Sequence, residues 1–164
     1  MATGHAATPA TMELTRLGIA FTMHAYGHDP AERSFGDEAA RALGLSPDEV
    51  FKTLVVMVDD AATVAVLPVS SRADMKSLAV ARGGRRAELA DLALAQRLTG
   101  YVIGGISPIG QKRHLPTVID EQVWLHDVVY VSGGRRGLDI GLAPADLISA
   151  TSGTIAPIAR AEPA

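Results

Sequence analysis

The sequence predicts a single-domain α+β fold built on a mixed, largely antiparallel and curled sheet flanked by helices. Three observations carry that expectation. The 164 residues suffice for one continuous hydrophobic core and are short for two. Two β-rich runs, Phe51 to Val58 and Thr63 to Val69, are separated by little more than Asp59-Asp60, which reads as a hairpin with an acidic turn. After residue 100, strand-like runs and glycine turns follow one another too closely for helical crossovers, so a purely parallel sheet is disfavoured.

Thr8 before Pro9 has the form of an N-cap followed by proline at the first helical position, and Ala10, Leu14 and Leu17 then share one face until Gly18. Ile19 to Tyr26 alternates as a strand does and is broken by Gly27 to Pro30. Ser34 can cap a second helix carrying Ala39, Ala40 and Leu43, closed by Gly44. Ser46-Pro47-Asp48-Glu49 has the capping-box pattern and predicts one more helical turn leading into Phe51. Beyond the hairpin, helices are expected over about 74–82 and 91–98, the second with Leu92, Ala95 and Leu98 on its inner face. Strands are expected at Tyr101 to Ile103, Thr117 to Asp120, Val128 to Ser132 and Leu138 to Leu142, and Pro144 starts a last helix. The domain is placed at 8–160, with 1–7 and 161–164 as flexible ends.

Composition narrows the chemistry. Apolar residues are 48% and charged residues 20%, the balance of a globular protein. A net charge of −3 provides no global positive field, so DNA is not an expected partner and any RNA contact must be local. The absence of cysteine removes disulfides, thiolate zinc sites and a cysteine nucleophile. The first residues carry no basic and apolar leader, and the densest apolar stretch, Leu54 to Val58, is far too short to span a membrane, so the cytoplasm is the expected compartment.

Two glycine clusters follow strand-like runs: Gly104-Gly105-Ile106-Ser107-Pro108, and Ser132-Gly133-Gly134-Arg135-Arg136-Gly137-Leu138-Asp139. Glycine lets backbone N–H groups approach a ligand, and two such loops suggest one shared anion or oxyanion pocket, although a glycine cluster by itself often only turns the chain. Lys52 opens the apolar run of the hairpin, where an ammonium can meet a phosphate or a substrate carbonyl, or simply protect a sheet edge. The basic pairs Lys112–Arg113 and Arg135–Arg136 adjoin the glycine loops and are the nominated, weak tRNA contacts. His24 and His28 lie too far apart along a strand to hold one ion and have no evident third ligand, so neither a metal nor a cofactor is expected. No serine sits in a nucleophile-elbow pattern.

Five blocks, around His24 to Glu32, Phe35 to Glu38, Phe51 to Leu54, Thr99 to Lys112 and Tyr130 to Asp139, together resemble the YbaK/EbsC family, relatives of the editing domain of bacterial prolyl-tRNA synthetase. The resemblance runs from about Thr8 to about Arg160 and departs at Phe51, where relatives often carry tyrosine. It implies a partly barrel-like sheet and trans-editing deacylation of Cys-tRNA(Pro) in which the substrate's own thiolate attacks its carbonyl. Lys52 would be the essential lysine, assisted by the amides of Gly104 and Gly105. Tyr26, Phe35, Thr53, Ile106, Ser107, Pro108, Ser132, Gly133 and Asp139 would line the pocket. Aminoacylated tRNA(Pro) and a transient complex with prolyl-tRNA synthetase are the implied partners. Two alternatives stay open: deacylation of another small aminoacyl ester such as Ala-tRNA(Pro), and a non-catalytic module binding tRNA or the synthetase.

Overall fold

In the computed structural model, which describes residues 7–162, Thr8 opens helix α1 (Pro9–Leu17) through a reciprocal capping box. The Thr8 N–H donates to Thr11 Oγ1 at 2.9 Å, and the Thr11 N–H donates to Thr8 Oγ1 at 3.2 Å. Gly18 ends the helix at φ 70°, a conformation open to residues without a Cβ. The predicted strand 19–26 forms only over β1 (Thr22–Ala25). Helix α2 (Phe35–Leu43) begins at Ser34, but the Ser34 side chain makes no capping bond; Asp37 and Glu38 in the first turn favour the positive end of the helix dipole instead. The 46–49 segment closes one hydrogen-bonded turn without becoming a helix, the Glu49 N–H donating to Ser46 O at 3.0 Å.

The hairpin is β2 (Phe51–Val58) and β3 (Ala61–Pro68), in register from Phe51↔Pro68 to Val58↔Ala61. Its two-residue turn needs a left-handed residue, and Asp59 supplies it at φ 51° while its carboxylate accepts from the Arg85 and Arg86 N–H groups. There follow β4 (Ser71–Ala73), α3 (Met75–Ala81), β5 (Ala87–Leu89), α4 (Leu92–Thr99) and β6 (Thr117–Asp120). A 3-10 turn (Glu121–Leu125) leads to β7 (Val129–Arg135), β8 (Leu138–Leu142), α5 (Pro144–Thr151), β9 (Thr154–Ala156) and β10 (Ala159–Ala161).

Among the described residues the strands form three sheets. The largest has the order β5-β2-β3-β6-β9, antiparallel at the hairpin and at β5 and parallel at β6 and β9. A second, β1-β8-β7, is antiparallel, and β4 and β10 form a separate ribbon. A parallel bridge between Val50 and Tyr130 joins the first two sheets at a corner, giving the curl, but among the described residues the strands do not close into a barrel. β3 is buried on both faces: Val64 and Val66 pack with Phe51, Ile109, Val131 and Ile140, whereas Ala65 and Leu67 pack with Val56, Leu78, Val118 and Ile158.

Two expectations are corrected. Tyr101 to Ile103 is not a strand: the Ile103 N–H is satisfied by the Gln96 side chain at 2.9 Å, and Val102 starts a turn closed by the Gly105 N–H. Ala161, read as the start of a frayed tail, is the last residue of β10, paired with Ser71. Residues 1–6 and 163–164 of the expected ends lie outside the described residues.

Candidate active site

Alternation along β2 sends Lys52 to the same face as Leu54 and Val56, and Thr53 to the opposite one. The outer edge of this strand is paired only at its ends. Val50 bridges to Tyr130 in β7, and Val55 O accepts from the Ala90 N–H at 2.9 Å before β5 takes over at Val56. Between those points the edge lacks a partner strand among the described residues. There a cavity of about 500 Å³ opens, lined by both faces of β2, the start of α2, loop 103–106 and the β7–β8 pair. Unpaired strand edges present N–H and C=O groups to whatever occupies the space.

Of the predicted residues, the cavity brings together Lys52, Thr53, Tyr26, Phe35, Gly104, Ile106, Ser132 and Asp139. The Lys52 ammonium donates to Ser71 O at 2.6 Å, and burial holds its pKa below the ordinary lysine value, opposed by the charges of Glu162 and Asp37. Thr53 Oγ1 is buried and has no hydrogen-bond partner among the described residues. Such an orphan hydroxyl is costly unless a ligand completes it. Asp139 is 5% exposed, and burial pushes its carboxyl up to about 7. Tyr26 is pushed up to about 12, first by burial and then by Asp139.

Gly104 sits at φ 86°, and a Cβ there would come within 2.7 Å of the Phe35 ring. The ring lies under the Arg136 guanidinium, 5.3 Å from its centroid, and Arg136 Nε donates to Ile103 O at 2.7 Å, so the second glycine loop braces the first. Behind Phe35, His28 Nδ1 donates to Glu38 at 2.7 Å, and the Asp29 N–H donates to the same carboxylate at 2.8 Å. His24 instead stands edge-on to Tyr130, with ring centroids 5.3 Å apart, so the two histidines serve different neighbours.

Four nominated catalytic or pocket residues, Gly105, Ser107, Pro108 and Gly133, lie outside the lining, as do the four nominated tRNA contacts, Lys112, Arg113, Arg135 and Arg136. Gly105 packs on the Arg135–Arg136 backbone, where a Cβ would fall 2.8–2.9 Å from main-chain atoms, and its N–H is committed to Val102 O at 2.9 Å. The Gly104 and Ile106 N–H groups have no protein acceptor among the described residues, which makes them the donors that a ligand could use. Ser107 is buried, its hydroxyl accepting from the Ile109 N–H, and Pro108 faces a different cavity beside α1 and α5. Gly133 is pressed against Leu138 and Ile140, and its carbonyl accepts from the Thr8 hydroxyl. Lys112 and Arg113 are exposed and away from the cavity, their backbone N–H groups tied to Thr99 and Leu98.

The sequence alone did not point to Asp37, Leu89, Leu92 or Glu162. Leu89 and Leu92, 59% and 61% exposed, form an apolar lip, so Leu92 belongs to the cavity and not to the inner face of α4.

The aminoacyl-tRNA editing domain family matches residues 29–150. The chain belongs to this family. Within it, EbsC of Enterococcus faecalis, assigned by name to Cys-tRNA(Pro)/Cys-tRNA(Cys) deacylation, is 38% identical over 127 residues, 77% of either chain, which sets the present protein in the YbaK/EbsC branch. Solved structures agree in fold. The crystal structure of hypothetical protein APE2540 superposes with a TM-score of 0.82 at 25% identity, over 93% of this chain and 99% of that one. A crystal structure named as a trans-editing enzyme for prolyl tRNA synthetase gives 0.79 at 24% identity, over 93% and 95%. An aminoacyl-tRNA editing domain removes the amino acid from a mischarged tRNA.

Proposed function

We propose that this editing domain deacylates mischarged Cys-tRNA(Pro) in trans, and that the substrate cysteine supplies the nucleophile. The observation that carries the proposal is the composition of the cavity wall: an ammonium, an orphan hydroxyl and free backbone donors, with neither cysteine nor histidine among the lining residues. An aminoacyl ester is already activated, and fixing a thiolate against its own carbonyl can supply effective molarities of about 10⁵–10⁸ M. The thiolate sulfur bonds to the carbonyl carbon, the bond to the ribose oxygen breaks, and that oxygen takes up the proton that the thiol gave up. The products are free tRNA and a cysteine thiolactone, which water opens.

In this reading the Gly104 and Ile106 N–H groups stabilise negative charge developing on the carbonyl oxygen, and Thr53 Oγ1 orients the aminoacyl group. Lys52, on its flexible stem, reaches round the open edge from Ser71 O to hold the ester or the adjoining phosphate. The net charge of −3 leaves tRNA selection to a partner, for which prolyl-tRNA synthetase in a transient complex is the proposed candidate. One observation favours a second chemistry at the same site. The Asp139 carboxyl, which burial pushes up to about 7, lines the cavity and can accept a proton from water, supporting direct hydrolysis.

The test is incubation with Cys-tRNA(Pro), Ala-tRNA(Pro) and Pro-tRNA(Pro), with the Lys52→Ala variant alongside and the released product trapped and identified. Preferential loss of the cysteinyl ester, released as thiolactone and abolished in Lys52→Ala, is expected. Preference for the alanyl ester would overturn the cysteine assignment, because alanine has no thiol to attack. Release of free cysteine with no thiolactone would favour the Asp139 route.

A further inference from the structure

The Lys52 ammonium rests on Ser71 O, on a strand whose partner, β10, lies beyond the family-matched residues. The anchor is Asp120, 1% exposed at the end of β6: its Oδ1 accepts from the Ile158 and Ala159 N–H groups at 2.9 and 3.0 Å, and its Oδ2 accepts from the Gln122 N–H at 3.0 Å. The Asp74 N–H donates to Ile158 O at 2.8 Å and ties the same segment to the start of α3. From that anchor β10 pairs with β4, and the register ends at Ala161↔Ser71. Ser71 is the residue whose carbonyl accepts the Lys52 ammonium, and Glu162, next after Ala161, lines the cavity that Lys52 lines. Lys52 and the β4–β10 ribbon thus lie on one face of β2, while Gly104, Ser132 and Asp139 approach the cavity from other elements.

We propose that Glu162 is a positioning residue for Lys52: the Asp120-anchored β4–β10 ribbon sets it in the wall of the cavity that Lys52 lines, where its negative charge favours the charge and the resting place of the ammonium. Glu162 makes no direct ion pair with Lys52 and acts through its field across the cavity wall. The other charged or titratable groups lining the cavity are Asp37 in α2, Arg33 just before it, Tyr26 after β1 and Asp139 in β8. Burial works against the ammonium, Glu162 is the first charge that opposes burial, and Asp37 is the second. The proposal rests on the functional role given to Lys52 above, but its main test does not.

The test is to titrate Lys52 by NMR, following its ε-carbon resonance in the wild-type protein and in Glu162→Gln, Glu162→Asp and Asp37→Asn, with Lys52→Met used to assign the signal. A partly exposed pair of opposite charges is worth enough to lower the proton affinity of Lys52 about two- to fivefold in Glu162→Gln, with Glu162→Asp close to wild type and melting temperatures unchanged. The alkaline limb of deacylation should move to lower pH by the same factor. Identical Lys52 titrations in wild type and Glu162→Gln would overturn the inference whether or not Lys52 proves essential. An active Lys52→Met variant would remove the catalytic reading of the lysine, while a shifted titration would still establish the coupling.

Discussion

The Lys52 ammonium and the Ser71 carbonyl meet at 2.6 Å, on the face of β2 opposite to the Thr53 hydroxyl. An ammonium has three donors, and this contact occupies one of them, leaving two for a substrate oxygen. It also gives the side chain a defined resting place beside the unpaired stretch of the strand, from which rotation of the stem brings the charge to the edge.

Lys52→Met keeps the apolar stem and deletes the charge. Deacylation should fall by at least about 10²-fold, the scale of losing one electrostatic donor to a developing charge. The melting temperature should stay the same or rise slightly, because burial already disfavours this ammonium. Single-turnover deacylation with a thermal melt checks both, and a melt far below wild type would assign the residue to folding.

Asp139 predicts a pH dependence of stability. Its folded pKa of about 7 lies above the ordinary aspartate value of 3.8, so the folded state binds the extra proton between those limits. Stability from this group is therefore fully present below about pH 4 and is lost as pH rises through about 7. Asp139→Asn, which cannot ionise, should flatten that slope and gain on the order of a few kcal/mol over wild type at pH 7.5. Urea unfolding of both proteins at pH 4.5, 6 and 7.5 measures the difference; parallel curves would show that Asp139 ionises freely in the fold.

The two adjacent glycines should separate by their effects. In Gly104→Ala the methyl group meets a side-chain ring that can shift, at a backbone φ of 86° that costs about 1–2 kcal/mol. It should narrow the pocket and raise KM in a protein that still folds. In Gly105→Ala the methyl group meets the Arg135 and Arg136 backbone at 2.8–2.9 Å, so the hairpin itself must move, at about 1–3 kcal/mol. That variant should lose melting temperature first. Steady-state kinetics and melts on the pair decide, and equal KM values would argue against Gly104 in the wall.

How much of this could be read beforehand follows the range of the interactions. The bounds of β2, the Thr8 cap and the acidic hairpin turn depend on neighbouring residues, and they stand where the pattern put them. The 101–103 segment is apolar and β-rich, but a single side chain, Gln96, and the Val102 turn take its hydrogen bonds. β10 is three residues long and carries no strand pattern; it exists because a buried aspartate far back in the chain holds it to β4. Glu162 and Asp37 were invisible as site residues for the same reason, since their nearness to Lys52 is made by tertiary pairing. The resemblance located Lys52, Thr53, Gly104, Ser132 and Asp139 in one region, but only the geometry distinguishes Gly104, with its free N–H, from Gly105, whose N–H is spent in a turn.

Asp120 offers the most direct check on how the site is held. Its two oxygens accept three backbone N–H groups at 2.9–3.0 Å, two of them from the segment entering β10. In Asp120→Ala these donors lose their partner in a place where Asp120 itself is 1% exposed, so little water can replace it. The expected cost is about 2–5 kcal/mol, with Asp120→Asn intermediate because one oxygen remains to accept. Hydrogen exchange should speed up at Ile158 and Ala159 before it does at Val64 or Val66 in the centre of the large sheet, since the ribbon detaches without opening the core. Deacylation should decline with that local opening, as Ser71 and Glu162 leave Lys52 unsupported. Uniform acceleration of exchange across β3 and β10 alike would show that Asp120 secures the whole fold and not this wall of the cavity.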